Sequence, residues 1–319
     1  MSDLLDEIYR LSSITRVVTV AIGLPIFICG IVGNLINILG FTYLPQFNKL
    51  PSSIFLLFSF LASETALLVI LLPQLVFRLS GTDPLVNNLI LCKLRWFIGP
   101  LSATVALHCI CLASINQYLI TSRIIRRHQW ITRRRAIFIS SFVVLFWIGP
   151  LSPSIVYYTH TYINLANVTI CTAINPTFAL YYTYISIIIY SLIPILVLFL
   201  FSFLTWYNIR KQLIRHFEIE QTLTRMLSAQ IIMVLLTTLP NFCSQLYFFY
   251  TRTTMKSSLR LALENLMATI LTLISSGIHS FSFYTYILTA KAFRQNILSL
   301  FQLNQHRIQP NSILMRERT

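Results

Sequence analysis

Residues 96–122 read WFIGPLSATVALHCICLASINQYLITS and contain no charged side chain. A helix needs about 20 predominantly apolar residues to cross the ~30 Å hydrocarbon core of a bilayer. The helices of soluble proteins average about 10–14 residues and normally keep a charged face toward water. The stretch therefore predicts a membrane-spanning helix rather than a buried helix of a soluble domain.

Comparable windows recur along the chain, at 17–47, 50–77, 136–209, 226–251 and 265–290. Glu64 is the only charged residue among them. The window 136–209 is long enough for two spans, with a polar loop near 159–176 between them. Charged residues make up 10% of the chain, against about 25% in soluble domains. Together with 96–122, the windows predict an all-α membrane protein with a seven-transmembrane helix bundle.

The basic residues are concentrated in alternate connections. They are Arg123, Arg126, Arg127, Arg133, Arg134 and Arg135 after span three, Arg210, Lys211, Arg215 and Arg225 after span five, and Lys291 and Arg294 after span seven. Cytoplasmic loops carry the excess of Lys and Arg. This predicts a multi-pass plasma-membrane protein with an extracellular N-terminus and a cytoplasmic C-terminus. The net charge of +15 then indicates contact with anionic membrane lipid rather than with nucleic acid.

The same pattern divides the chain into four parts. We expect an extracellular N-terminal tail over 1–16, the seven-helix domain over 17–290, a short amphipathic helix over 291–301 and a disordered cytoplasmic tail over 302–319. The acidic N-terminus lacks the basic region and cleavage site of a signal peptide, so span one is expected to act as its own signal anchor.

Two of the six cysteines lie outside the interior of the predicted spans. Cys92 stands at the outer end of span three, and Cys171 in the loop between spans four and five, so both face an oxidising compartment. We predict a disulfide between them, which would close a loop of about 80 residues and contribute about 4–5 kcal/mol in the chain-entropy model. In the same loop, Asn167-Val168-Thr169 is a sequon for N-glycosylation of Asn167, although it lies close to Cys171.

Landmark residues occur in a fixed order across the predicted spans. They are Gly33-Asn34, Leu61-Ala62-Ser63-Glu64-Thr65, Cys92, Trp147, Pro194, Pro240, Ser282-Phe283-Tyr284-Thr285-Tyr286 and Phe293-Arg294. Their order and spacing over roughly residues 17–301 resemble the rhodopsin-like (class A) G-protein-coupled receptors. The resemblance implies a receptor that binds an extracellular ligand and signals to a heterotrimeric G protein, without a cofactor.

The inner ends of spans three, six and seven depart from the family's pattern. Asn116-Gln117-Tyr118 stands where the family carries Asp-Arg-Tyr, and the neutral Gln117 replaces an arginine that is always charged. Glu220, at the inner end of span six, is the acid that the resemblance places opposite this position, with a solvated loop acid as the alternative. Tyr286 ends the last motif on the same side, preceded by Ser282-Phe283 in place of Asn-Pro. These departures bear on the switch and on G-protein coupling.

Polar and ionisable residues inside the spans are the next candidates. Glu64 is costly in a bilayer, so it is either a cation-binding or protonatable switch, or a protonated acid with one hydrogen bond. In the family's pattern Glu64 or Thr65 takes the place of an Asp, depending on a one-residue shift of register. Asn34 is expected to tie spans one, two and seven together. His108 and His279 are interpreted as core imidazoles, and no metal site is predicted.

A ligand pocket is expected toward the outside. Asn241 and Gln245 share one helix face, and with Tyr181 and Tyr182 they would place a few polar groups in an apolar cleft; a belt of interfacial tyrosines is the alternative. By the resemblance, the position where amine receptors carry an Asp is near Gly99, which argues against an amine ligand. The Tyr- and Thr-rich outer loop, which could form a hairpin, favours a peptide.

Three other classes of function compete with this interpretation. A small-molecule transporter would show broken helices or inverted repeats, and a membrane enzyme would show a catalytic motif; the sequence has neither, so we predict no enzyme activity. A receptor-like protein with weak or no G-protein coupling stays open because of Gln117.

Overall fold

The computed structural model describes residues 2–122, 130–163, 168–211 and 218–308. Within these ranges, seven helices are long and apolar enough to cross a membrane. The predicted seven-helix bundle is therefore confirmed.

The spans are long helices joined by short connections. Span one is Ser2–Tyr43, span two Pro51–Ser80, span three Leu89–Ile120, span four Arg133–Leu151 with a further turn Pro153–Tyr157, span five Pro176–Lys211, span six Glu218–Thr251, and span seven Ser258–Ser280 continued by Ser282–Thr289. Short helices Pro45–Asn48 and Pro84–Asn87 lie in the first two connections. A C-terminal helix, Lys291–Ile308, follows span seven.

Two spans contain a widened π-helical turn just before a proline. These turns are Leu67–Leu71 in span two and Ser186–Leu192 in span five. Proline lacks the backbone N–H that would continue the ladder, and π-turns absorb such interruptions, often near functional sites. Both turns contribute side chains to the cavity described below.

The loop between spans four and five forms a hairpin. Strand β1, Tyr158–Ile163, pairs antiparallel with β2, Val168–Ala173. Cys171 on β2 is bonded to Cys92 at the start of span three, with Cα atoms 5.8 Å apart, so the predicted disulfide is confirmed. We call this side of the bundle the disulfide end, and the side where span three finishes the opposite end.

Aromatic rings close the core at the opposite end. Phe41, Phe60 and Phe293 surround Tyr286, with ring centroids 5.9–6.3 Å from it. Phe293 belongs to the C-terminal helix, so these contacts fasten that helix under spans one, two and seven. Many large apolar side chains elsewhere remain exposed on the spans, as expected for surfaces that face lipid.

Helices extend into both terminal segments of the expected layout. Helix one reaches back to Ser2, so residues 2–16 are helical rather than a separate tail. The C-terminal helix continues to Ile308, beyond the expected end at 301. The rest of the expected tail, 309–319, lies outside the described residues, as does Asn167.

Candidate functional site

A cavity of about 350 Å³ opens within the half of the bundle nearest the disulfide. Its walls come from spans two, three, five, six and seven, and from the end of span four. The polar lining side chains are Gln74, Arg95, Trp96, Thr104, Tyr182, Ser186, Tyr190, Asn241, Gln245, Thr272, Ser275, Ser276 and His279. The volume lies at the lower end of the ~300–1,000 Å³ range of small-molecule sites.

Three of the four predicted pocket residues line this cavity. Tyr182, Asn241 and Gln245 do so, and the Gln245 Oε1 accepts a hydrogen bond from the Ser186 hydroxyl at 3.1 Å. Tyr181 does not, because its hydroxyl donates to the Pro150 carbonyl at 3.0 Å on the outside of the bundle. Adjacent residues of a helix point about 100° apart, and here Tyr182 faces the cavity while Tyr181 faces outward.

The outer wall is built by the hairpin and the start of span three. Trp96 stacks on Tyr158 of β1 at 4.5 Å between ring centroids and 8° between planes, and Tyr182 meets Trp96 edge-on at 6.1 Å. Burial raises the pKa of the Tyr158 phenol, so this ring stays neutral. The disulfide holds β2 and span three together beside the stack, which fixes the shape of the cavity mouth.

Span three presents Arg95 rather than Gly99 to the cavity. A Cβ on Gly99 would meet the Ile70 Cγ1 of span two at 2.7 Å, so the position near Gly99 faces a neighbouring helix. Arg95 stands one turn earlier and is among the lining residues. Sequence reasoning missed it because the uncharged window was taken to begin at Trp96.

The floor of the cavity is a cluster of polar side chains. His279 lines it, and its Nδ1 lies 3.0 Å from the Ser63 hydroxyl of span two. Asn34 donates to the His279 carbonyl at 2.8 Å, and one turn further Asn37 donates to the Ser282 hydroxyl at 3.2 Å. Spans one, two and seven therefore meet at His279, with Asn34 on its carbonyl and Ser63 at its ring.

Glu64 and Thr65 follow directly after the residue of span two that bonds His279. Ser63 is the residue of span two whose side chain lies within hydrogen-bond distance of His279, rather than Glu64 or Thr65. Glu64 is partly buried beside the Asn34 side chain, and its Oε2 has no hydrogen-bond partner among the described residues. The Thr65 hydroxyl bonds the Leu61 carbonyl of its own helix.

At the opposite end, neutral hydrogen bonds join the spans. Asn116 donates to the Ser52 hydroxyl at 2.6 Å, and Gln117 donates to the Thr224 hydroxyl of span six. Thr224 lies one helical turn after Glu220, whose side chain is outside the described part of the chain. The ring of Tyr118 packs on Phe201 of span five at 5.6 Å.

The fully buried Tyr286 completes this end. It donates to the Gln230 side chain of span six. Gln230, Thr224 and Ser52 were not singled out from the sequence; each is a polar residue in an apolar helix, which was the available signal.

Comparison with known families gives a match over most of the chain. The model of the 7 transmembrane receptor (rhodopsin family) matches residues 33–279, which is more than half of the 319 residues. The chain belongs to the rhodopsin family of seven-transmembrane receptors. No curated protein matches it in sequence.

Membership in this receptor family supports a receptor over the enzyme and transporter classes that the sequence left in competition. Members are receptors rather than enzymes or transporters, and they cross the membrane repeatedly, in agreement with the seven apolar helices. The cavity at the disulfide end and the interhelical bonds at the opposite end are accordingly the two regions of this receptor to which a function can be assigned.

Proposed function

We propose that the receptor takes up an extracellular ligand in the cavity at the disulfide end and transmits a conformational change to a heterotrimeric G protein at the opposite end. This requires the plasma-membrane orientation predicted from the basic loops, with the disulfide outside. The observation that carries the proposal is the position of His279. It lines the cavity and also bonds spans one and two.

A route from cavity to cytoplasm follows from these contacts. A ligand that displaces span seven at His279 also moves Ser282 and Tyr286, which stand on the same span, and so disturbs the bonds to Asn37 and Gln230. Span six carries Gln230 and Thr224, so the Gln117–Thr224 bond is disturbed as well. Coupling between two sites requires a structural element with two states whose equilibrium both sites change. Here the element is span seven with its bonds to spans one and six, and the two sites are the cavity and the opposite end.

The second candidate is a receptor that couples weakly. It is favoured by Gln117, because a neutral amide replaces the charged group that the family uses at this position, and charge-assisted hydrogen bonds are roughly twice as strong as neutral ones. In this case the cavity and its ligand would be retained, and the G-protein response would be small.

The test measures G-protein dissociation in cells with a panel of Gα subunits. A tag at Ser2 should be accessible on intact cells and one after Thr319 only after permeabilisation; the reverse would refute the orientation. At equal surface expression we expect ligand-free signalling above that of mock-transfected cells with at least one Gα. No signal with any subunit in the wild type, at a confirmed surface level, would favour the second candidate.

A further inference from the structure

The lining of the cavity is unbalanced in charge. Arg95 is the charged side chain among the described residues that line it, and no aspartate or glutamate is among them. Buried charges are normally paired or hydrogen-bonded because desolvating them is costly. A cationic ligand would find no counter-charge in this cavity, whereas an anion would find one.

The charge of Arg95 is not neutralised within the described part of the chain. The ion pairs there join Glu264 to Lys256 and to Arg260, away from Arg95. Asp83 is the acid whose charge reaches Arg95, but it lies beyond ion-pair distance. Its carboxylate instead caps the helix Pro84–Asn87 by accepting from the Leu85 N–H at 2.9 Å.

The neighbouring Trp96 offers a second unused donor. Its Nε1 is buried and has no hydrogen-bond partner among the described residues, although the indole also lines the cavity. The stack on Tyr158 fixes the ring. An indole can only donate, and a guanidinium has five N–H donors and no acceptor. The Arg95 guanidinium and the Trp96 indole are therefore two adjacent groups that can donate to the acceptor oxygens of a ligand.

One wall of the cavity is apolar. Ala66, Leu67, Ile70, Leu71, Ala103 and Leu151 form the wall toward spans two, three and four. A ligand that fits this cavity combines an acceptor-rich anionic head with an apolar body. A single guanidinium matches a single carboxylate, which it can bind through two parallel hydrogen bonds.

We propose that the cavity binds a small apolar carboxylic acid, with its carboxylate on Arg95 and Trp96 and its body against spans two and three. This inference rests on the proposed receptor function, because it names the ligand class of the same site. The free C-terminus of a short peptide offers the same chemistry, so the peptide suggested by the outer loop is a second source of the carboxylate.

The experiment uses the purified full chain in lipid nanodiscs, without G protein. Thermal unfolding is followed against increasing 3-phenylpropionate, 4-phenylbutyrate and decanoate, each paired with its neutral amide. A second arm uses short apolar peptides with free or amidated C-termini. The variants are Arg95→Gln, Arg95→Lys and Trp96→Phe, and the matched control is Lys93→Gln, which removes a nearby charge of span three outside the cavity lining.

We expect acids, and not amides, to stabilise the wild type. Half-maximal stabilisation should need about 10- to 100-fold more acid in Arg95→Gln, as for loss of a charge-assisted bond, and about 3- to 10-fold more in Trp96→Phe. Arg95→Lys should keep the preference for acids, and Lys93→Gln should match the wild type. Stronger effects from free-terminus peptides than from the small acids would identify a peptide as the source of the same carboxylate.

The proposal is overturned if acids and amides act equally, if Arg95→Gln responds like the wild type, or if no acid stabilises the folded wild type. Should Arg95→Gln fail to fold, an unchanged acid response in Trp96→Phe overturns it as well. Binding is measured without G protein, so acid binding without coupling would count against the proposed function and not against this site.

Discussion

Asn34 in span one donates its side-chain amide to the backbone carbonyl of His279 in span seven at 2.8 Å, across 245 residues of sequence. The His279 ring in turn meets Ser63 of span two. One residue therefore holds three spans, at the floor of the cavity that would receive the ligand.

The first prediction concerns this bond. Asn34→Leu keeps the approximate size but removes the donor, so the receptor should lose about 0.6–1.7 kcal/mol of stability, the range of interhelical hydrogen bonds measured in membranes. Thermal unfolding in detergent would show a lower midpoint. Thr65→Ala removes a hydroxyl that bonds within its own helix and should leave the midpoint unchanged; equal effects of the two changes would contradict the assignment.

The second prediction compares two glycines. A Cβ on Gly30 would overlap the Leu67 side chain and lie 2.6 Å from the Ser280 Oγ, whereas one on Gly149 would meet nothing within 4 Å. Overpacking costs about 1–3 kcal/mol, and replacing a helical glycine by alanine gains about 1 kcal/mol. Gly30→Ala should therefore lower the unfolding midpoint, and Gly149→Ala should leave it equal or higher. A stable Gly30→Ala would mean that spans one, two and seven pack less closely.

The third prediction concerns the disulfide. Cys92→Ala and Cys171→Ala should each reduce the amount of receptor at the cell surface, because either change frees the hairpin from span three and opens the loop that the bond closes. The double variant should be no worse than either single one, since both remove the same bond. Cys243→Ala, which changes a free and exposed cysteine, serves as the control. Additive losses would show that the two cysteines act separately.

The spans could be predicted because charged residues are costly in lipid. Each span is therefore a continuous, almost uncharged stretch that can be recognised in the sequence. The disulfide followed from two cysteines that lie outside the interior of the predicted spans, on the same side of the membrane. Both predictions use the position of residues along the chain, and neither requires knowledge of how the helices are rotated relative to one another.

The site was harder to predict because it depends on helix rotation. Side chains of adjacent residues in a helix point about 100° apart. A shift of one residue therefore decides whether Tyr182 or Tyr181 faces the cavity, and whether Ser63 or Glu64 meets His279. Arg95 was missed for another reason. In the sequence, a charged residue at the end of a span marks the boundary of the span. In the structure, the hairpin covers this position, and Arg95 becomes part of the cavity wall.

The last prediction concerns the contact between Gln117 and Thr224, which links spans three and six at the opposite end. If it helps to hold the resting state, Thr224→Val should raise ligand-free signalling at equal surface expression, because valine keeps the shape and removes the acceptor. The expected shift is modest: one neutral hydrogen bond contributes about 0.5–1.5 kcal/mol, or about a 2- to 12-fold change in the ratio of the two states.

Gln117→Arg tests the same contact from the other side. Arginine supplies a charge that Glu220, one turn before Thr224, could pair with, so we expect lower ligand-free signalling and a larger stimulated response. Adding Glu220→Ala should restore the ligand-free level. Thr237→Val, whose hydroxyl bonds carbonyls within its own helix, controls for loss of a span-six hydroxyl as such. If Thr224→Val and Thr237→Val behave alike and Gln117→Arg changes nothing, the contact does not regulate the receptor.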